Sequence, residues 1–266
     1  MSAKPVILKL GGSVITRKEK PLTANLRAIR RLASEISSAE AAPLVVVHGG
    51  GSFGHPLAKR YAIKAGYKNK ASQAFGFALT HQAMVALNKL VVDALIEHKL
   101  PAVAVSPSSC VVTKSGRIQT MMEEPLKKLL QTGFVPVLYG DAVLDSDFGF
   151  TILSGDQLIA YLAMHLNAER IIVGIDVDGL YTADPKTDSS TKLIRHINLK
   201  ELKDMLQQIE EAKVTDVTGG MLGKIAELIP SIEKGIITLI VNAAKPKNVY
   251  KALKGEKVIG TLIEKG

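Results

Sequence analysis

Apolar residues along this chain follow two different spacings, and glycines mark where one gives way to the other. Val6 to Leu10 is an apolar run, broken by Lys9, that ends at Gly11-Gly12-Ser13. Val45-Val46-Val47 ends at His48-Gly49-Gly50-Gly51, and Ser52-Phe53-Gly54-His55 lead on to Pro56. Both runs read as buried strands that open into turns of bare backbone. A helix is expected to start at Pro56, where a missing N–H costs nothing, with His55 at its mouth. Such a start favours an anion above the glycines. Leu26, Ile29, Leu32, Ala33 and Ile36 fall at helical spacing, which predicts an amphipathic helix from Leu22 to Ser38 with Thr23 as its cap.

The alternation continues to the end of the chain. Ala71 to His98 reads as one long helix, and Leu126–Leu130, Leu199–Ile209 and Val249–Leu253 as shorter ones. Strands are expected at Ala102–Val105, Val135–Tyr139, Arg170–Ile175, Ile236–Val241 and Lys257–Ile263. Two hairpins are expected, one from Cys110–Thr113 with Gly116–Ile118, the other from Val143–Leu144 with Phe150–Ile152. Ser154-Gly155-Asp156 opens a further helix, and Thr218-Gly219-Gly220-Met221 opens another that carries Lys224 one turn inside. Strands alternating with helices imply a mostly parallel sheet covered on both faces. The expectation is one α/β domain over residues 1–266, with lobes of about 1–165 and 166–266.

Composition narrows the class. The chain of 266 residues is 47% hydrophobic and 22% charged, an ordinary globular balance. No apolar run approaches the length needed to cross a bilayer, so neither a membrane span nor a signal peptide is expected. One cysteine, Cys110, excludes a disulfide framework and points to the cytosol. The net charge of +9 raises the possibility of nucleic acid, yet the basic residues are dispersed and aromatics are only 5%. Stacking platforms for single strands are therefore missing, and a small anionic substrate suits the charge as well.

The candidate chemistry follows from the turns. Gly49, Gly51 and Gly54 form a G-x-G-x-x-G, but a dinucleotide site would need an acid roughly 20 residues on. None occurs between Glu40 and Asp93, where Lys59, Arg60, Lys64, Lys68, Lys70 and Lys89 stand instead. A phosphate site remains. Lys9 is either a strand-end lysine in solvent or part of a ligand site at the strand's carboxyl end. The charged loop Thr16 to Lys20 is either a solvated face or a cover over phosphates. Asp176-Val177-Asp178-Gly179-Leu180-Tyr181 can wrap a sugar or base edge, although alone it is only a turn. His81 is expected as a packed or capping histidine. Two glycine cradles with neighbouring lysines suit phosphoryl transfer between two anions. Walker and protein-kinase signatures, a nucleophile elbow and clustered metal ligands are all absent.

The motifs Lys9-Leu10-Gly11-Gly12-Ser13, His48-Gly49-Gly50-Gly51, Asp176 to Tyr181 with Asp184-Pro185, and Thr218 to Met221 with Lys224 together resemble the amino acid kinase superfamily. Gly49 to His55 is similar to the isopentenyl phosphate kinase family, with the fosfomycin kinases as close relatives. The resemblance implies a three-layer αβα sandwich and transfer of the γ-phosphoryl group of ATP, with Mg²⁺ carried by ATP, to isopentenyl phosphate. It implies a homodimer, with neither nucleic acid nor membrane as partner. Lys9 and Lys224 would contact the transferring group, Lys18 would stabilise the transition state, and Asp156 would orient the lysines. Gly11, Gly12, Ser13, Gly51, Gly219 and Gly220 would serve ATP phosphates, and Asp176, Tyr181, Asp184 and Pro185 the rest of the nucleotide. Gly50, Gly54, His55 and Gly155 would hold the substrate phosphate. A phosphonate kinase of the fosfomycin type and a nucleotide sensor that has lost catalysis are the alternatives. For a five-carbon tail, Phe77, Thr80, His81 and Met84 share one helical stripe, which is either core or a slot. The slot reading has Phe77 and Ile152 closing it, with Ala142 and Thr80 as walls.

Overall fold

The structure is a computed structural model that describes residues 3–68, 71–183, 190–211 and 221–266. Its first strands are β1 (Val6–Leu10), β2 (Leu44–His48) and β3 (Ala102–Ala104). Next come β4 (Val111–Lys114), β5 (Arg117–Met121), β6 (Val135–Tyr139), β7 (Asp141–Asp145) and β8 (Gly149–Leu153). The last are β9 (Arg170–Ile175), β10 (Leu180–Tyr181), β11 (Leu193–Ile194), β12 (His196–Asn198), β13 (Ile237–Asn242) and β14 (Gly260–Glu264). Eight of them form the central sheet in the order β12-β14-β13-β9-β1-β2-β6-β3. Only the β13–β14 pairing is antiparallel.

Period-two burial gives the sheet two apolar faces. Val6, Leu8, Leu10, Leu44 and Val46 pack into one core, and Ile7, Val45 and Val47 into the other. The first core is covered by α1 (Gly12–Ile15), α2 (Leu26–Ala39), α3 (Gly51–Arg60), α4 (Ala71–Glu97) and, near the end of the chain, residues 248–254. The second is covered by α6 (Glu124–Gln131), α7 (Gly155–His165), α8 (Leu199–Glu211), α9 (Met221–Ala226) and α10 (Ile229–Glu233), after the short α5 (Pro107–Cys110). The result is a three-layer αβα arrangement. Both expected hairpins form, and β4 joins β7 in parallel to make a second sheet, β5-β4-β7-β8.

Three local expectations need correction. The second helix begins at Leu26, and its cap is Asn25, whose side chain accepts from the Ala28 N–H at 3.3 Å, so Thr23 lies outside it. Helix α3 begins at Gly51, which puts Pro56 inside the helix and His55 in its second turn. Pro56 cannot donate to the Ser52 carbonyl four residues back, and the Leu22 N–H takes that carbonyl instead at 3.0 Å. An interior proline is tolerated because a neighbouring loop uses the acceptor it frees. Helix α4 has the length and apolar content of a membrane-spanning segment, contrary to the expectation that no run approaches that length. In the fold it packs on α2 and α3, and it carries Asn88, Lys89 and Asp93.

Candidate active site

The two glycine turns meet because their strands are neighbours. β1 and β2 are parallel with Leu10 opposite His48, so the turns leave the same edge of the sheet side by side. The Gly49 N–H donates to the Leu10 carbonyl at 3.0 Å. A Cβ on Gly12 would stand 2.3 Å from the Gly51 nitrogen, so these backbones touch where no side chain fits. Gly51 also has φ +47°, and a Cβ there would lie 2.1 Å from Thr16 Oγ1. β9 flanks β1 on its other side and delivers Asp176, while β6 flanks β2 and delivers Gly140 and Asp141. Four strand ends thus converge, the place where open α/β sheets bind ligands.

These ends surround a cavity of about 570 Å³. Its lining includes Lys9, Gly11, Gly12, Ser13 and Lys18 from the first turn and loop, and Gly50, Gly51, Gly54 and His55 from the second. Thr80, Ile152, Gly155, Asp156, Asp176 and Lys224 complete the expected set that reaches it. Phe77 and Ala142 do not line it: they pack with Ile63, Phe150 and Ile152 one layer behind the wall, with the Phe77 and Phe150 rings 5.3 Å apart. Tyr181 lies in the two-residue strand β10, paired with Leu193, away from the cavity lining. Asp184, Pro185, Gly219 and Gly220 lie outside the described residues. The lining also contains Ala58, Met84, Asp141, Leu153, Ser154 and Met221. Of these, Met84 belongs to the helical stripe and Ser154 to the turn read from the sequence, and Asp141 carried a signal that was missed, an acid directly after a strand and a glycine.

Charge is concentrated on one side. Lys9 shares the sheet face of Ile7, beneath α7, whose first turn carries Asp156, and the two side chains form a buried ion pair. Burial pulls the Lys9 ammonium below its ordinary pKa, Asp156 opposes that pull, and the Lys224 charge adds to it. His55 is held below its ordinary value first by desolvation, then by Lys224 and Lys9, with Asp156 opposing. These influences favour the neutral imidazole, and an incoming dianion would raise its pKa again. On the rim, Ser13 Oγ donates to Asp176 Oδ1 at 3.0 Å, and Lys18 Nζ donates to Asp176 Oδ2 at 3.1 Å.

Three further polar groups beside the glycine turns are held by hydrogen bonds within the fold. Asp141 is buried and accepts from the Ala142 N–H at 2.9 Å, the Ser108 N–H at 3.3 Å and His81 Nδ1 at 3.0 Å. Burial pushes its pKa up against His81, and Asp141 in turn raises that of His81. His81 is thus a packed partner, as expected. His48, fully buried, contacts the Gly49 carbonyl through Nδ1 and Asn88 through Nε2, each at 3.2 Å, and burial lowers its pKa to about 4. Among the described residues no three His, Cys, Asp or Glu side chains are grouped to hold a metal. Two backbone cradles, three ammonium groups and one imidazole facing a common space can bind two anions and offset charge moving between them.

Comparisons with known proteins agree with this geometry. The amino acid kinase family profile matches residues 4–242. The isopentenyl phosphate kinase of Methanothermobacter thermautotrophicus is 46% identical over 264 residues, covering 97% of this chain and 98% of that protein. The isopentenyl phosphate kinase of Arabidopsis thaliana is 36% identical, covering 82% and 70%. A solved isopentenyl phosphate kinase structure superposes with a TM-score of 0.86 at 42% identity, covering 97% of this chain and 100% of the other. The chain belongs to the amino acid kinase family, in its isopentenyl phosphate kinase branch.

Proposed function

We infer that this protein transfers the γ-phosphoryl group of ATP to isopentenyl phosphate, giving isopentenyl diphosphate and ADP. The observation that carries the reading is the convergence of Lys9, Lys224 and His55 on one cavity between two glycine turns. The bond between the β,γ-bridging oxygen and the γ-phosphorus breaks, and a phosphate oxygen of the acceptor takes its place. That oxygen is already anionic, so no general base is required. Gly11, Gly12, Ser13 and Gly51 hold the phosphates of ATP, and Asp176 faces the nucleotide. Gly50, Gly54, Gly155 and His55 hold the acceptor phosphate, with His55 as the donor that steadies one oxygen while another attacks. Lys9, set by Asp156, and Lys224 offset the charge on the moving group, with Lys18 above them. The tail lies against the apolar side of the wall, where Ala58, Met84, Ile152 and Leu153 stand.

The cavity carboxylates fit a metal that arrives with its ligands. Asp156 is engaged by Lys9, and Asp176 by Ser13 and Lys18. Mg²⁺ would enter on the ATP phosphates and supply further charge neutralisation there. The protein works as a cytosolic homodimer, which light scattering in solution would check. Its activity is tested by giving ATP labelled at the γ-position with isopentenyl phosphate, fosfomycin, UMP, glutamate and acetylglutamate in parallel. Preferential labelling of isopentenyl phosphate is expected. Preferential labelling of fosfomycin, a small phosphonate, or of any of the other three acceptors would overturn the reading.

A further inference from the structure

The first turn of α3 is bound to the loop that carries Lys18 by a set of hydrogen bonds centred on two buried hydroxyl residues. The Ser52 N–H donates to Thr16 Oγ1 at 3.0 Å, and Ser52 Oγ donates to the Thr23 carbonyl at 3.3 Å. The Ser52 carbonyl, left without a helical partner by Pro56, accepts the Leu22 N–H at 3.0 Å. Thr16 Oγ1 in turn donates to the Gly12 carbonyl at 2.7 Å. The loop is closed at its base by the Arg17 N–H to the Thr23 carbonyl at 2.9 Å and by a bridge between Thr16 and Ala24. Lys18 stands within this loop and reaches the cavity rim.

The arrangement has a backbone cost at Leu22 that packing alone does not explain, and it requires a glycine at position 51. Leu22 takes φ +51°, left-handed backbone that a branched side chain seldom adopts, and its N–H is the one that meets Ser52. Gly51 takes φ +47° and leaves no room for a Cβ beside Thr16 Oγ1. Both features lie where the second glycine turn meets the loop. Thr16 and Ser52 are themselves 3% and 5% exposed, so the bonds are shielded from water.

We propose that Thr16 and Ser52 are positioning residues for phosphoryl transfer, fixing the Lys18 loop against the two glycine turns. The inference rests on the kinase reading above and deepens it. Phosphoryl transfer draws mainly on placement of charge, and a misplacement of about 1 Å can cost about 10²-fold in rate. Thr16→Val keeps the shape of the side chain and deletes both of its hydrogen bonds. Its kcat should fall by about 10²-fold, while KM for ATP and for isopentenyl phosphate moves by less than about threefold. Thr16→Ser, which keeps the hydroxyl, should stay within about threefold of wild type. Lys18→Ala should cost much less in the Thr16→Val background than in wild type, because the lysine is already misplaced there.

Equal costs of Lys18→Ala in the two backgrounds would overturn the proposal, as would a kcat for Thr16→Val that falls only with the folded fraction seen by circular dichroism. Should Thr16→Val fail to fold, Ser52→Ala takes its place in the same comparison, judged by the same outcomes. Wild-type protein without turnover on isopentenyl phosphate would sink the kinase reading itself, a result distinct from either.

Discussion

A lysine as buried as Lys9 needs a carboxylate beside it, and Asp156 meets that need while leaving the ammonium at the cavity. Lys224 is exposed to the same space and perturbs both Lys9 and His55, so these charges act on a common volume. Lys9→Met and Lys224→Met should each leave less than about a tenth of wild-type turnover, which is a barrier rise above about 1.4 kcal/mol. Lys224→Arg should not restore it fully, since a planar fork replaces a compact point charge. Steady-state kinetics with saturating ATP would check all three. His55→Ala should cost about 2–4 kcal/mol of barrier with ATP affinity nearly unchanged, because only an acceptor-side hydrogen bond is lost. Turnover close to wild type in that variant would remove His55 from the acceptor site. The signal for these residues was local: a lysine two places before a glycine turn, and a histidine four places after one. The partner of Lys9 was not local, since Asp156 lies 147 positions away.

At the scale of elements, α3 shows how tertiary contacts redraw a helix boundary. Proline has a strong preference for the first turn, yet here the helix runs on through Pro56 because Leu22 satisfies the carbonyl that the proline leaves open. Pro56→Ala would supply an N–H that competes for the Ser52 carbonyl, so the Leu22 amide should exchange with solvent faster. Hydrogen exchange of that single amide is the measurement, and unchanged protection would mean the two do not compete. The slot for the hydrocarbon tail was only partly legible. Helical spacing puts Phe77, Thr80 and Met84 on one stripe, but cannot say which of them an adjoining hairpin covers. Thr80 and Met84 reach the cavity, whereas Phe77 is turned onto Phe150. Ile152→Ala should therefore admit ten-carbon phosphates, as each buried CH₂ contributes about 0.8 kcal/mol. Phe77→Ala should mainly lower the thermal midpoint, by emptying space behind the wall. A gain on geranyl phosphate confined to Phe77→Ala would reverse that assignment.

For the whole molecule, the end of β2 links the site to stability through His48. Buried between Asn88 and the Gly49 carbonyl and stacked on Tyr139, it resists protonation until about pH 4, against an ordinary value of 6.5. Between those values the unfolded chain binds a proton that the folded chain refuses, so stability rises with pH across this window. The contribution is complete above about pH 6.5 and is lost as pH falls toward 4, amounting to about 3 kcal/mol. Thermal midpoints measured from pH 7 to pH 4 should fall more steeply for wild type than for His48→Asn, and parallel curves would show that His48 does not titrate in this way. Much of the architecture could be read without the fold. The two apolar spacings and the glycine punctuation depend on neighbours within a few residues, and they locate the main strands, both hairpins and the helix start at Ser154-Gly155-Asp156, but not the starts of α2 and α3. Strand order, the antiparallel insertion of β14 between β12 and β13, and the meeting of β1, β2, β6 and β9 at one edge were decided only in three dimensions. So were the Ser52 contacts, the burial of Phe77 and the pairing of Lys9 with Asp156. Periodicity shows which face of an element must be covered, whereas hydrogen bonds and packing between distant segments determine what covers it.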